Sequence, residues 1–354
     1  MPELQHAGEH ARVISTAARP ASKADVLDAH RRAGRRFQAA GAGSFVREQG
    51  DGPAVVCIHG MIGTSFLYRK VLAELAIRGL RGVAFDLPGF GLADRPPGYD
   101  YSWTGLGRFC VAAVDELGLD RFHLVVHDIG GPVGFELATA MPTRIASLTL
   151  LNTTIDVTDF RSPWTMEPFR HRGIGELWMA SLTAPAFRFL MRLQGIGDPA
   201  AVSRAELDTY LALIKGPDHG RAFLQIMRST ERTAAKQGRY RAAVRNVPYP
   251  VQAVWAADDP AMTLAGYGKK AQAAAGLARL HTIPWSAPAS LEALMSANCS
   301  PVYQTPLLYC RFPRTFSAAY QRYKNGYAPR YTTAPSLPWR PSHHEPLANR
   351  HGDR

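Results

Sequence analysis

The sequence is most informative at first through what it lacks. No apolar run approaches the roughly 20 residues needed to cross a bilayer, so no membrane span is expected. The opening stretch, MPELQHAGEHARVIS, has neither the basic start nor the apolar middle of a secretion signal. The sequence therefore points to the cytoplasm. Only four cysteines occur, Cys57, Cys110, Cys299 and Cys310, and no two stand in CxxC spacing. A disulfide framework and a zinc ribbon are both excluded on that count. The pair His343-His344 beside Glu345 is fixed on no helix face, so no metal and no cofactor is expected.

A dinucleotide-binding fingerprint is missing too. Asp86-Leu87-Pro88-Gly89-Phe90-Gly91 contains a GxG, but the residues after it supply no third glycine opening a helix. The formal charge of +12 could indicate nucleic-acid binding, yet its distribution argues otherwise. From Trp285 onward there are eight Arg and Lys against three acidic residues, and much of the remaining excess is spread along amphipathic helices. With no recognition helix and no aromatic RNA-binding signature, no nucleic-acid partner is expected.

What is present is a chain of 354 residues, 46% hydrophobic, able to bury a large core. The spacing predicts a helix over 21–40 and an edge strand over 44–49. Ala54 to Ile58, AVVCI, is too short and too rich in β-branched residues for a buried helix and reads as an interior strand. A helix is expected from about Ser65 to Arg78, a strand over 82–85, a helix over 103–117 and a strand over 147–151. Alternation of this kind implies an α/β fold with a mostly parallel, doubly wound sheet. Ligands of such sheets sit at the carboxyl ends of the strands, where His59, Asp86 and Asp128 all fall.

The central stretch is Leu124 to Gly131, LVVHDIGG. A strand delivers Asp128 to a tight bend, and Gly130, Gly131 and Pro132 open a helix. Such a corner needs small residues, because the nucleophile's backbone is strained and the helix passes close to the strand. Asp capping a helix after a buried strand is the structural alternative. From about Ile155 to Pro248 the pattern is helical throughout, and a strand returns at Val251 to Ala256. The expected organisation is a flexible N-terminus at 1–20, core at 21–154, helical cap at 155–248, core again at 249–284, and an atypical Pro- and Arg-rich tail at 285–354.

Four ordered stretches, HGMIGTSFLYRKV (59–71), FDLPGFGLADRP (85–96), LVVHDIGG and VWAADDP (254–260), resemble the α/β-hydrolase superfamily, in its haloalkane dehalogenase and epoxide hydrolase branch. The resemblance covers about residues 22 to 284 and implies an α/β-hydrolase fold with an inserted helical cap. It implies that Asp128 attacks an electrophilic carbon of a small apolar substrate, giving an alkyl-enzyme ester that water hydrolyses. It places the oxyanion-hole donors at the backbone amides of Met61 and Ile129, and the acid at Asp259, with Asp156 as fallback and Asp258 out of register. His59 would shape the loop.

The sequence departs from that pattern in three places. The expected base would lie near Ala287, where Trp285-Ser286-Ala287-Pro288 has no His; His281 lies nearby in a strand, and His351 and the pair already named lie in the tail. Ile129 stands where dehalogenases commonly carry a halide-binding Trp, and Ile62 where Pro is usual. Trp164, Trp178, Tyr210 and Tyr240 could supply indole or phenol donors instead. The expected function is therefore a haloalkane dehalogenase-like hydrolase, with an epoxide hydrolase or a single-turnover, catalytically impaired protein as alternatives.

Overall fold

The computed structural model describes residues 20–196 and 201–283, all within one unit of the chain. The expectations for residues 1–19, for Ala287 and for the tail from 285 lie outside the described residues. Ser22 caps α1 (Lys23–Arg32) with a capping box to Asp25. The chain then forms β1 (Arg35–Ala39) and β2 (Ala42–Gln49), an antiparallel pair. The helix expected over 21–40 thus stops at Arg32. Residues 35–39 alternate exposed and buried at Phe37 and Ala39, and a side chain at Gly34 would run into the Val46 carbonyl at 2.3 Å. β2 also pairs with β4, so it is not the edge strand that the sequence implied.

β3 (Ala54–Ile58) and β4 (Arg81–Phe85) follow, joined by α2 (Arg69–Ile77). Next come α3 (Trp103–Glu116), β5 (Phe122–Asp128), α4 (Gly130–Ala140) and β6 (Ile145–Thr153). Between β6 and β7 (Val251–Ala256) the described residues contain helices only: α5 (Ile174–Ser181), α6 (Ala184–Leu190), α7 (Arg204–Lys215), α8 (Arg221–Arg228) and α9 (Ala234–Ala242), with short helical turns. After β7 come α10 (Lys269–Ala275) and β8 (His281–Ile283).

The eight strands form one sheet in the order β1-β2-β4-β3-β5-β6-β7-β8. From β4 to β8 every neighbouring pair is parallel. All five residues of β3 are buried, which explains its unbroken apolar run: helices cover both faces. Val55 and Cys57 join a core with Tyr68, Val71 and Leu75. Val56 and Ile58 join the larger core, with Phe109, Val133 and Leu137 from α3 and α4. The chain crosses from β3 to β4 on one side and returns through α3 to β5 on the other. The carboxyl ends of β3 and β5 therefore flank the topological switch, where a crevice opens.

Candidate active site at the end of the central strands

Asp128 is the last residue of β5 and takes φ of 53°, a left-handed conformation rare for residues with side chains. The bend fits only because its neighbours are small. A Cβ at Gly130 would meet the Ile58 carbonyl at 2.5 Å, one at Gly131 the Thr153 hydroxyl at 1.8 Å, and one at Gly60 the Asp128 Cβ at 2.5 Å. Thr153 Oγ1 donates to the Asp128 carbonyl at 2.6 Å and holds the corner from β6. Asp128 is thus the residue of a strained strand-to-helix turn rather than an N-cap; Ile129 occupies that position at the start of α4.

The carboxylate points into the crevice. Met61 N–H donates to Asp128 Oδ2 at 2.8 Å. Burial pushes the Asp128 pKa above the ordinary carboxylate range, while hydrogen bonds from the Met61 and Ile129 amides pull against that rise. The two expected backbone donors therefore meet at one oxygen-bearing group. His59 sets the first of them: its Nδ1 faces the Gly60 carbonyl at 2.9 Å and its Nε2 accepts from Leu87 N–H at 3.0 Å. Fully buried and with its pKa lowered to about 4 by burial, it ties the β3 and β4 loops together as a structural residue. Asp86 does related work, accepting from Ser65 N–H at 2.6 Å and Leu92 N–H at 2.7 Å.

Asp259 lies in the loop after β7 and is buried, whereas Asp258 is exposed. Its Oδ1 accepts from the Ala261 and Met262 amides, each at 2.8 Å, and its Oδ2 accepts from Asn152 Nδ2 at 2.5 Å. Asn152, at the end of β6, in turn accepts the Ala256 N–H at 3.0 Å and so locks the two loops. Asp156 is elsewhere, paired with Arg241 at 2.7 Å, and does not line the crevice.

Asp128, Asp259, Met61 and Ile129 line one cavity of about 260 Å³, mostly apolar in its walls. The inserted helical region supplies its far side through Phe160, Met166, Met191, Tyr210 and Met227. A smaller apolar chamber of about 120 Å³ shares several of these walls. Of the four aromatics considered as donors, Tyr210 alone reaches the main cavity. Trp164 is exposed, Trp178 donates its Nε1 to the Thr165 carbonyl at 3.1 Å, and Tyr240 is buried beside Glu136. His281 sits on β8, away from the cavity lining.

Sequence reasoning passed over His127. Among the described residues it is the one imidazole lining this cavity, and its Nδ1 is buried without a hydrogen-bond partner. Burial lowers its pKa to about 4, with the Asp259 charge opposing, so it is neutral at pH 7. Its signal was adjacency to Asp128, although strict alternation along β5 would turn the two to opposite faces. The register shift between His127 and Asp128 against β6 breaks that alternation. Among the described residues there is no His, Cys, Asp and Glu cluster able to hold a metal.

A mostly parallel sheet carrying a strained acidic elbow beside a two-amide hole defines an α/β-hydrolase fold. The chain matches the alpha/beta hydrolase fold family over residues 53–291, and it belongs to that family. Haloalkane dehalogenase 2 of Mycobacterium tuberculosis is 39% identical over 106 residues, 30% of this chain and 37% of the relative. A haloalkane dehalogenase of Psychrobacter cryohalolentis is 34% identical over 110 residues, 31% and 36% respectively. The matched part thus spans about a third of the length of these curated relatives. Among solved structures, Cfl2 of Burkholderia cenocepacia aligns with TM-score 0.64 at 24% identity, covering 74% of this chain and 91% of that one. The epoxide hydrolase VrEH1 of Vigna radiata aligns with TM-score 0.52 at 22% identity, covering 63% and 79%. The curated relatives matched in part are thus haloalkane dehalogenases, and the likeness to VrEH1 is one of fold.

Proposed function

We propose that this protein is a hydrolase in which Asp128 attacks an sp3 carbon of a small electrophile held beneath a helical cap. The observation that carries this reading is the position of Asp128: strained at the elbow, lining the cavity, with Oδ2 already in the amide hole. Its other oxygen is the attacking atom. A C–O bond forms as the leaving group departs with the bonding pair, and Oδ2 becomes the ester carbonyl. When water then adds to that carbonyl, the negative charge grows on the oxygen that already accepts from Met61, with the Ile129 amide bonded to the same carboxyl group. A serine in this place would suit acyl substrates; a carboxylate suits alkyl ones, because its own carbonyl becomes the point of hydrolysis.

The curated relatives favour a carbon–halogen bond as the one broken. The cavity wall adds support for a second reading. Among its lining residues there is no Trp to hold a leaving halide through an indole N–H, while Tyr210 brings a phenol that could protonate an epoxide oxygen. The missing His near Ala287 makes ester hydrolysis the weak step, and a single-turnover protein is the limiting case.

Intact mass after incubation with a bromoalkane, read alongside bromide release, tests the scheme. A stable adduct absent from Asp128→Asn supports the trapped ester. Sustained bromide release lost in Asp128→Asn and in His127→Ala would assign base chemistry to His127. Diol formation from an epoxide without halide release would select the second reading. Equal reactivity of wild type and Asp128→Asn with every compound would overturn the nucleophile assignment.

A further inference from the structure

The cavity carries a charge that the proposed chemistry does not use. Arg232 lines it from the segment between α8 and α9, the helical side, whereas Asp128 and Asp259 come from the strand ends. Its guanidinium is held in one orientation. Nη1 donates to the Phe160 carbonyl at 3.0 Å, Nη2 donates to Ser162 Oγ at 2.9 Å, and the group lies over the Phe160 ring, 4.7 Å from the centroid. All of these partners are neutral. Among the described residues, no carboxylate lies within ion-pair distance of Arg232, and its buried Nε has no hydrogen-bond partner.

The surrounding charges sharpen this. Glu167, the acid that acts on Arg232 through space, is shared by Arg170 and His171, each at 3.6 Å, and Arg170 adds a second positive charge. The other cavity arginine, Arg69, differs because it pairs with Glu206. A partly buried guanidinium with five donors and no counter-charge is costly, and its fork matches a carboxylate.

We propose that Arg232 binds a carboxylate on the substrate, so that the preferred electrophiles carry an anionic group at the end remote from the carbon Asp128 attacks. This rests on the reading of the cavity as a substrate site and narrows its substrate class. The carboxylate is a handle and is unchanged in the reaction: with an ω-bromoalkanoate, Asp128 forms the C–O bond, the C–Br bond breaks, and bromide leaves with the electron pair. The apolar walls between the two ends accommodate the alkyl chain.

The test separates binding from chemistry. Hexanoate and hexanol, neither of which can alkylate, are titrated calorimetrically into wild type, Arg232→Gln and Arg232→Lys. Hexanoate is expected to bind wild type about 10- to 100-fold more tightly than Arg232→Gln, as for a charged hydrogen-bonded contact, with Arg232→Lys between them. Hexanol should show no such order. The second measurement compares adduct formation with ω-bromoalkanoates, from bromoacetate to ω-bromohexanoate, against ω-bromoalkanols of equal length, with Asp128→Asn as the alkylation blank. The carboxylate preference should appear at the chain length that spans the cavity and collapse in Arg232→Gln.

Hexanoate binding that is unchanged in Arg232→Gln overturns the proposal, whatever Asp128 does. Arg232-dependent hexanoate binding without any Asp128 adduct would keep the anion site and discard the nucleophile instead.

Discussion

Replacing Asp128 with Asn should make the protein more stable, and the gain should depend on pH. Asp128 is half-buried at the cavity wall, no cation stands within ion-pair distance among the described residues, and two backbone amides offset only part of its desolvation. Asn keeps the shape, tolerates the left-handed backbone and can present its carbonyl to the same amides, so the comparison isolates the buried charge. An incompletely compensated buried polar group costs about 1–3 kcal/mol, and a domain of this size gains roughly 2–4 °C per kcal/mol, so a rise of about 3–10 °C is expected at neutral pH. The native pKa lies above that of the unfolded chain, near 4, so between the two the native state holds a proton that the unfolded state has lost. Wild-type stability attributable to Asp128 therefore falls as pH rises through that interval and is level above it. The difference between Asp128→Asn and wild type should be close to zero at acid pH, open across the interval and stay constant beyond. Thermal unfolding of both proteins across pH measures this. A less stable Asn variant, or a gap independent of pH, would refute the idea that the elbow stores the cost of a buried charge.

Adduct formation with a bromoalkane should rise with pH through an apparent pKa above the usual carboxylate range, since only ionised Asp128 attacks; quench-flow mass spectrometry at several pH values would read it. Asn152→Ala removes a donor to Asp259 and the acceptor of the Ala256 N–H, so a loss of about 1–3 kcal/mol in unfolding free energy is expected in denaturant titrations. Gly60→Ala drives a methyl group against the Asp128 side chain and should abolish the adduct while leaving the circular dichroism spectrum intact. Glu136 is buried between Lys236 at 2.5 Å and Arg239 at 2.9 Å, joining α4 to α9; Lys236→Met should cost about 1–3 kcal/mol by removing one of that carboxylate's two cationic partners, and the double variant with Glu136→Leu should recover part of it.

The likeness to relatives covers only parts of the chain, yet the local signals were strong where backbone demands were strict. AVVCI is readable as an interior strand because helices on both sides require apolar residues at every position. LVVHDIGG is readable as an elbow because few residue types survive a bend where an added Cβ would meet a carbonyl. Residues 35–39 misled because short amphipathic runs fit either period, and pairing with β2, a tertiary event, decided between them.

The sequence by itself determined the parallel centre of the sheet and the corner at Asp128, since both follow from local spacing and backbone tolerance, while only its resemblance to a known family singled out Asp259. Tertiary structure decided what shares the cavity: that Tyr210 enters while Trp164, Trp178 and Tyr240 do not, that His127 faces it, and that Arg232 stands there without a counter-ion. Those facts depend on how helices distant in sequence pack over the strand ends, and side-chain burial and charge compensation arise only from that packing.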